Sequence, residues 1–321
     1  MNPIAHFFKL LRWPNLLIIF LTQLLIWVDV IHPMAKLSGS SEHFLQGSHF
    51  VLLSLTTILI AAAGYVINDY YDRAIDQINK PEKVIIGRIF SVRLCLWLYA
   101  ILNLLALALS VYLSHQLQMV DLAGIQLFCI FLLWLYAAVL KAKPVWGNLA
   151  VALLTALTIL ILVAYEPLMY PFSSLSFLIA EPQRLFINPL WVISVYAFFA
   201  FMTTWMREIV KDMQDVKGDA AVGCRTLPIV AGVKLATLMV VLLGIVAILV
   251  LLLAAMALMR SEWIILSIYL LFALALPVLL LIVRIGQNNT PEHYGKWSSR
   301  LKLMMLSGIF ALPLYYLLTF V

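Results

Sequence analysis

Nine apolar stretches, each near the length that crosses a bilayer, run through this chain at roughly 13–33, 49–68, 93–113, 121–140, 147–165, 188–208, 233–258, 262–284 and 302–321. No other feature narrows the fold as much. In hydrocarbon every backbone N–H and C=O must be satisfied internally, so each stretch is expected to be a helix. The weaker alternating pattern of a β-barrel is not what these stretches carry. With 64% hydrophobic and 11% charged residues over 321 positions, the chain also falls outside the range of soluble domains. The fold class expected is all-α: a polytopic membrane protein with nine transmembrane helices. Lys9 and Arg12 precede the first stretch as they would precede a signal sequence. Its apolar core is too long for that and no small-x-small site closes it, so a retained helix is expected.

Orientation follows from Lys and Arg. With nine spans, 18 of the 21 basic residues fall on one side of the membrane and only Lys36, Arg184 and Arg260 on the other. The positive-inside rule then makes the N-terminus cytoplasmic and the C-terminus opposite, in a cell inner membrane. The net charge of +6 reflects this topology. No basic run is interleaved with aromatics, so no nucleic-acid partner is expected, and no obligate protein partner is evident. Cys95, Cys129 and Cys224 form no Cys-x-x-Cys and no disulfide framework. An outer connector is expected over 166–187, broken by Pro167, Pro171 and Pro182 and carrying Glu166, Glu181 and Arg184.

Six of the eight aspartates lie in two clusters of identical spacing, Asp69, Asp72, Asp76 and Asp212, Asp215, Asp219. Both read D-x-x-D-x-x-x-D, and each member of the second follows its counterpart by 143 positions. On a helix, positions i, i+3 and i+7 fall within about 60° of one another, so each trio is expected to point one way. Carboxylates so arranged repel unless something cationic sits among them. The two faces suit a hard divalent ion, Mg²⁺, whose shell is completed by water and substrate phosphate. A solvated acidic helix end would account for one cluster, but poorly for two copies at equal spacing. Both clusters fall on the cytoplasmic side, where the longest hydrophilic segments, 69–92 and 209–232, leave the bilayer.

Cations follow closely: Lys80, Lys83 and Arg88 after the first cluster, Lys141 and Lys143 at the end of the fourth stretch. Fixed cations can clamp phosphate oxygens as charge builds on a leaving group, although the positive-inside bias also places basic residues here. Tyr65, Tyr70, Tyr71, Tyr136 and Tyr196 lie near the cytoplasmic third of the spans. Their rings could stabilise a carbocation or simply anchor the interface.

Taken together, these residues resemble the UbiA family of intramembrane prenyltransferases. Asn68-Asp69-x-x-Asp72-x-x-x-Asp76 is similar to its first motif, and Asp212-x-x-Asp215-x-x-x-Asp219 to its second. Asn79-Lys80-Pro81-Glu82-Lys83, followed by Gly87-Arg88-Ile89-Phe90-Ser91, resembles its basic loop, with lysines where many members carry arginines. Tyr136, Lys141 and Gly147-Asn148-Leu149 resemble its middle segment. Arg207 to Asp212, with Gly218-Asp219 and Thr226-Leu227-Pro228, is most similar to the branch whose acceptor is geranylgeranylglyceryl phosphate.

The resemblance implies one domain over 1–321 with a central cavity open to the cytoplasmic side. It implies Mg²⁺-dependent transfer of a polyprenyl group from a prenyl diphosphate to a lipophilic acceptor, within the bilayer. Metal and diphosphate would be held by Asn68, Asp69, Asp72, Asp76, Asp212, Asp215 and Asp219, with Asp69 the member most apt to face away. Asp72, Asp76, Asp215, Asp219, Lys83 and Lys141 would carry the chemistry. Asn68, Lys80, Arg88, Tyr136, Tyr65 and Lys143 would contact substrate. The alternatives are prenylation of an aromatic quinone precursor and, outside enzymes, a cation-coupled transporter. A CDP-alcohol phosphotransferase would need D-G-x-x-A-R, which is absent here.

Overall fold

In the computed structural model, residues 3–38, 45–79, 81–167, 189–260 and 262–320 are described. Lys80, the side chain of Lys83, and Pro171, Glu181, Pro182 and Arg184 of the expected outer connector lie outside them. Nine helices long and apolar enough to cross a membrane follow one another among the described residues. They are α1 (Trp13–Lys36), α2 (Gly47–Tyr71), α3 (Val92–Gln116), α4 (Val120–Ala138), α5 (Trp146–Ala164), α6 (Pro189–Ala221), α7 (Gly232–Arg260), α8 (Ile264–Arg284) and α9 (Pro291–Phe320). Each coincides with one apolar stretch of the sequence, and no strand forms among them. The all-α, nine-span expectation holds.

Two helices overrun their stretches. Hydropathy marks only the membrane-immersed part of a helix, and hydrogen bonding does not stop at the interface. α6 has 33 residues, about 50 Å at 1.5 Å per residue, against roughly 30 Å of hydrocarbon. Its extension beyond Glu208 still buries Ile209, Val210 and Met213, so packing sustains the helix after the spanning apolar run has ended. α9 begins at Pro291 rather than near 302, where the Thr290 side chain caps it by accepting from the His293 N–H at 3.3 Å.

Three helices deviate from regular geometry just before a proline. π-turns at Trp27–Ile31 in α1 and Leu270–Ala275 in α8 precede Pro33 and Pro277, and α9 breaks at Phe310 ahead of Pro313. Proline donates no backbone hydrogen bond and clashes with the carbonyl four residues back; widening the preceding turn relieves both effects.

The helices close on themselves. α2 packs on α3 and α4, α5 on α6, α6 on α7 and α9, and α7 on α8. α1 touches α2, α5 and α9, joining the two ends of the chain. Trp97, Leu104, Leu253, Phe272 and Phe310 point outward, as side chains solvated by acyl tails would. Buried polar groups inside the bundle pair with one another: Gln126 donates to the Tyr165 hydroxyl at 2.8 Å, and Ser114 meets the same oxygen at 3.0 Å. Such interhelical bonds average only about 0.6 kcal/mol each, so close packing carries most of the cohesion.

Candidate active site

The first aspartate motif straddles the end of α2. That helix stops at Tyr71, Asp72 caps it, and a short helix, Arg73–Asn79, sets off in a new direction. The bend separates the members of the motif. Asp69 accepts from Arg12 Nη2 at 2.6 Å, whereas Asp72 is buried and forms an ion pair with Lys141. Asn68 donates to Asp72 Oδ2 at 2.7 Å and accepts from Lys141 at 3.4 Å. The trio therefore does not present one uniform face, as a straight helix would have it. Asp69 turns toward the start of α1, and Asp72 turns inward.

Lys141 lies in a single helical turn, Leu140–Ala142, immediately after α4. What seats that turn is Gly147 in the first turn of α5. A Cβ there would lie 2.9 Å from both the Leu140 carbonyl oxygen and the Lys141 Cα, so any side chain would displace the lysine. Burial works against the Lys141 ammonium, but the facing Asp72 carboxylate outweighs it and holds the pKa above the ordinary lysine value. The charged form of the lysine is thus favoured.

The second motif lies on α6, across from the first. Asp212 Oδ2 accepts from Asn148 Nδ2 at 2.9 Å, so the residue beside Gly147 orients a carboxylate of the opposite motif. Asp219 is buried, and the charges of Lys141, Asp215 and Asp72 all act on it. The two motifs are clasped together by Asn79, whose side chain donates to the Asp215 carbonyl at 3.3 Å. Its partner in the clasp is Gly218: a Cβ there would stand only 2.3 Å from the Asn79 carboxamide, so any side chain would push that carboxamide aside. A further tie runs from the Arg225 N–H to the Ala142 carbonyl at 2.8 Å, fastening the segment after α6 to the Lys141 turn. Asp72, ion-paired with Lys141, and Asp219, 147 positions later in sequence, thus both feel one lysine.

The remaining expected residues are distributed unequally. Tyr136 feels the charges of Lys141, Glu208, Asp72 and Asp212 and belongs to the group. Tyr65 lies beneath Arg12, whose guanidinium carbon is 5.0 Å from the ring centroid. Asp76 is in the first turn of the short helix. Arg88 is exposed and donates to the Pro81 carbonyl at 3.3 Å, and Lys143 is exposed at the end of its turn. Four contributors have no role in the sequence reading, where Asn79, Asn148 and Glu208 stand only as letters within family-like segments: Arg12, Asn79, Asn148 and Glu208. Arg12 read as a flanking charge. Its backbone is left-handed (φ 52°), an uncommon conformation for a residue with a Cβ, at the break between helix Pro3–Leu10 and α1. Glu208 is buried and held by Arg207 at 2.9 Å and Lys211 at 3.0 Å.

The group consists of carboxylate and amide oxygens with one central ammonium. Among the described residues no three His, Cys, Asp or Glu side chains converge into a closed metal cage. An open set of hard oxygen donors fits Mg²⁺, which retains waters and takes substrate phosphate oxygens.

The family model for UbiA prenyltransferases matches residues 33–300. The chain belongs to the UbiA prenyltransferase family. It is accordingly an integral membrane prenyltransferase. Among similar UbiA-family relatives, the digeranylgeranylglyceryl phosphate synthase of Methanosphaera stadtmanae is 30% identical over 246 residues, covering 77% of this chain and 75% of its own. That of Saccharolobus solfataricus is 33% identical over 276 residues, covering 85% and 86%. A solved digeranylgeranylglyceryl phosphate synthase superposes with a TM-score of 0.62 at 21% identity, covering 97% of this chain and 98% of that one. A UbiA homologue from Archaeoglobus fulgidus, solved with DMAPP and Mg²⁺, gives 0.56 at 16% identity, over 96% and 99%. At those identities the superpositions establish the fold.

Proposed function

We propose that this UbiA-family chain transfers a geranylgeranyl-type group from its diphosphate to the free glycerol hydroxyl of geranylgeranylglyceryl phosphate. The allylic C–O bond to diphosphate breaks, an ether bond to the glycerol oxygen forms, and the hydroxyl proton leaves to solvent or diphosphate. The observation that carries the chemistry is Lys141, seated between two facing carboxylate motifs. The acceptor is supported by relatives of shared length that bear the synthase name.

In this reading Mg²⁺ would be held by Asn68, Asp72, Asp76, Asp212, Asp215 and Asp219, with Asp69 engaged by Arg12. The metal, when bound, would neutralise the diphosphate and draw electrons from the allylic bond. Lys141 stands where negative charge develops on the leaving oxygen, and Lys83 and Lys80 supply further charge from the adjacent loop. Arg88 and Lys143 attract diphosphate from the water side. Asn148 fixes the orientation of Asp212. Tyr136 offers its ring to the developing cation, with Tyr65 behind it. Apolar walls hold the isoprenoid and exclude water that would quench an allylic cation.

The cavity opens to the cytoplasm, with the N-terminus on that side, the C-terminus opposite and the chain in the inner membrane. The 18-to-3 division of basic residues supports that orientation. Residues 1–321 form a single domain, a reading supported by α9 packing back on α1. The test supplies purified protein and geranylgeranyl diphosphate with geranylgeranylglyceryl phosphate or 4-hydroxybenzoate, and identifies products by mass spectrometry. The dietherified glycerol phosphate, formed with Mg²⁺ and abolished by EDTA, is expected. Prenylation of the aromatic acid alone would refute the acceptor, and full turnover in EDTA would refute the metal.

A further inference from the structure

Cations gather at a second place in the bundle, beside the first aspartate motif and reaching deeper along α6 and α9. Lys302 on α9 donates to Asn15 Oδ1 at 2.6 Å, and the charges acting on it are those of Arg207 and Arg12. Among the described residues no carboxylate lies within ion-pairing distance of Lys302. Arg207 gives one nitrogen to Glu208, while its Nε is buried without a hydrogen-bond partner. Tyr65 lies among them: Asn15 hydrogen-bonds its side chain, and the charges of Arg12 and Arg207 both act on it. Four elements thus converge, namely the start of α1, α2, α6 and α9.

The charges do not balance. Arg12 is paired with Asp69, and Arg207 and Lys211 share Glu208, whereas Lys302 has no carboxylate partner among the described residues. Like charges held together in a membrane helix bundle are costly, and they persist where an anion is to be received. Their depth is fixed by helix geometry. Arg207 is five residues, roughly 7.5 Å, farther into α6 than Asp212, and Lys302 is eleven residues, roughly 16 Å, beyond the start of α9.

We propose that Arg12, Arg207 and Lys302 form a second anion site that seats the phosphate monoester of the acceptor lipid. This rests on the acceptor proposed above and adds where its phosphate goes. A phosphomonoester carries about −1.5 to −2 charges at pH 7, and the unpaired Lys302 ammonium is free to meet it. Arg207 has an open nitrogen for a phosphate oxygen, and Lys302 adds a compact point charge. Keeping the two phosphorylated substrates on separate cation sets allows both to occupy one cavity. The short glycerol backbone then bridges the sets, bringing its hydroxyl toward the allylic carbon.

The test compares geranylgeranylglyceryl phosphate with its phosphate-free alcohol as acceptors for the full-length protein in detergent. Lys302→Gln should raise KM for the phosphorylated acceptor about tenfold, the size of one charge-assisted contact. KM for prenyl diphosphate should stay constant, as should turnover of the alcohol, and Lys302→Arg should restore most of the loss. Lys296→Gln, on the exposed side of α9, should be silent. An unchanged acceptor KM, a rise in the diphosphate KM instead, or an equal loss with the alcohol would overturn the site. Should Lys302→Gln not fold, Arg207→Lys must raise the same acceptor constant, and a wild-type value refutes the proposal. Wild-type protein that ignores the phosphorylated acceptor and prenylates an aromatic acid defeats the acceptor reading, a result visible before any variant is made.

Discussion

Removing the Lys141 cation while keeping its shape, as in Lys141→Met, separates stability from catalysis. In the resting protein the ammonium neutralises Asp72, whose side chain is only 9% exposed against 29% for Lys141. Stranding one member of a buried ion pair costs roughly 3–5 kcal/mol, and the partial exposure of the lysine places this case at the low end. The variant should therefore melt at lower temperature in detergent. Adding Asp72→Asn removes the stranded charge and should return most of that stability. Catalysis should not return with it. Losing one preorganised donor to a developing oxyanion costs about 10²–10³ in kcat, roughly 2.7–4 kcal/mol. The assay is diphosphate release under saturating substrate, beside a thermal melt of the same preparations. A Lys141→Met enzyme within threefold of the wild-type kcat would refute the leaving-group role, whatever its stability. A double variant that recovered both quantities would show that the lysine acts only by holding Asp72.

Gly218→Ala should push the Asn79 carboxamide off the Asp215 carbonyl, loosen the clasp between the motifs and cut kcat about tenfold, and shortening the opposing side chain with Asn79→Ala should recover part of it. Asn148→Ala removes the donor that fixes Asp212, at a cost of about 1 kcal/mol in stability, and the Mg²⁺ concentration needed for half activity should rise while the fold persists. Cysteines introduced at exposed Gln77 and Lys217, in a background free of Cys95, Cys129 and Cys224, should react with an impermeant maleimide in inverted vesicles and not in intact cells. Labelling from outside intact cells would invert the topology and with it the route of diphosphate entry.

The nine spans were legible because the bilayer imposes a single length and a single backbone solution on every crossing. The aspartates were legible because six carboxylates at matched spacing are costly without a cation. The inner ends of α6 and α9 were less so, since hydropathy falls at the interface while burial of Ile209 and Met213 continues the helix. The roles of Arg12, Asn79 and Asn148 were not legible for a different reason. Each acts across 57 to 136 positions of sequence, and nothing in local spacing distinguishes an interior arginine from a flanking one. Asp69 and Asp72 look equivalent as letters, and only the turn at the end of α2 assigns them to different partners.

The unbroken course of α6 has a consequence for how this protein can vary. Arg207, Glu208, Asp212, Asp215 and Asp219 all ride on one rod, so their depths and compass bearings are set by helical rise alone. Loops on either side can lengthen by many residues without disturbing that register. Deleting one residue between Glu208 and Asp212 cannot be absorbed in this way: it would swing one end against the other by about 100° and shorten the rod by about 1.5 Å. Related chains should therefore tolerate gaps in the flanking loops far better than along the thirteen positions from Arg207 to Asp219, where insertion is closed.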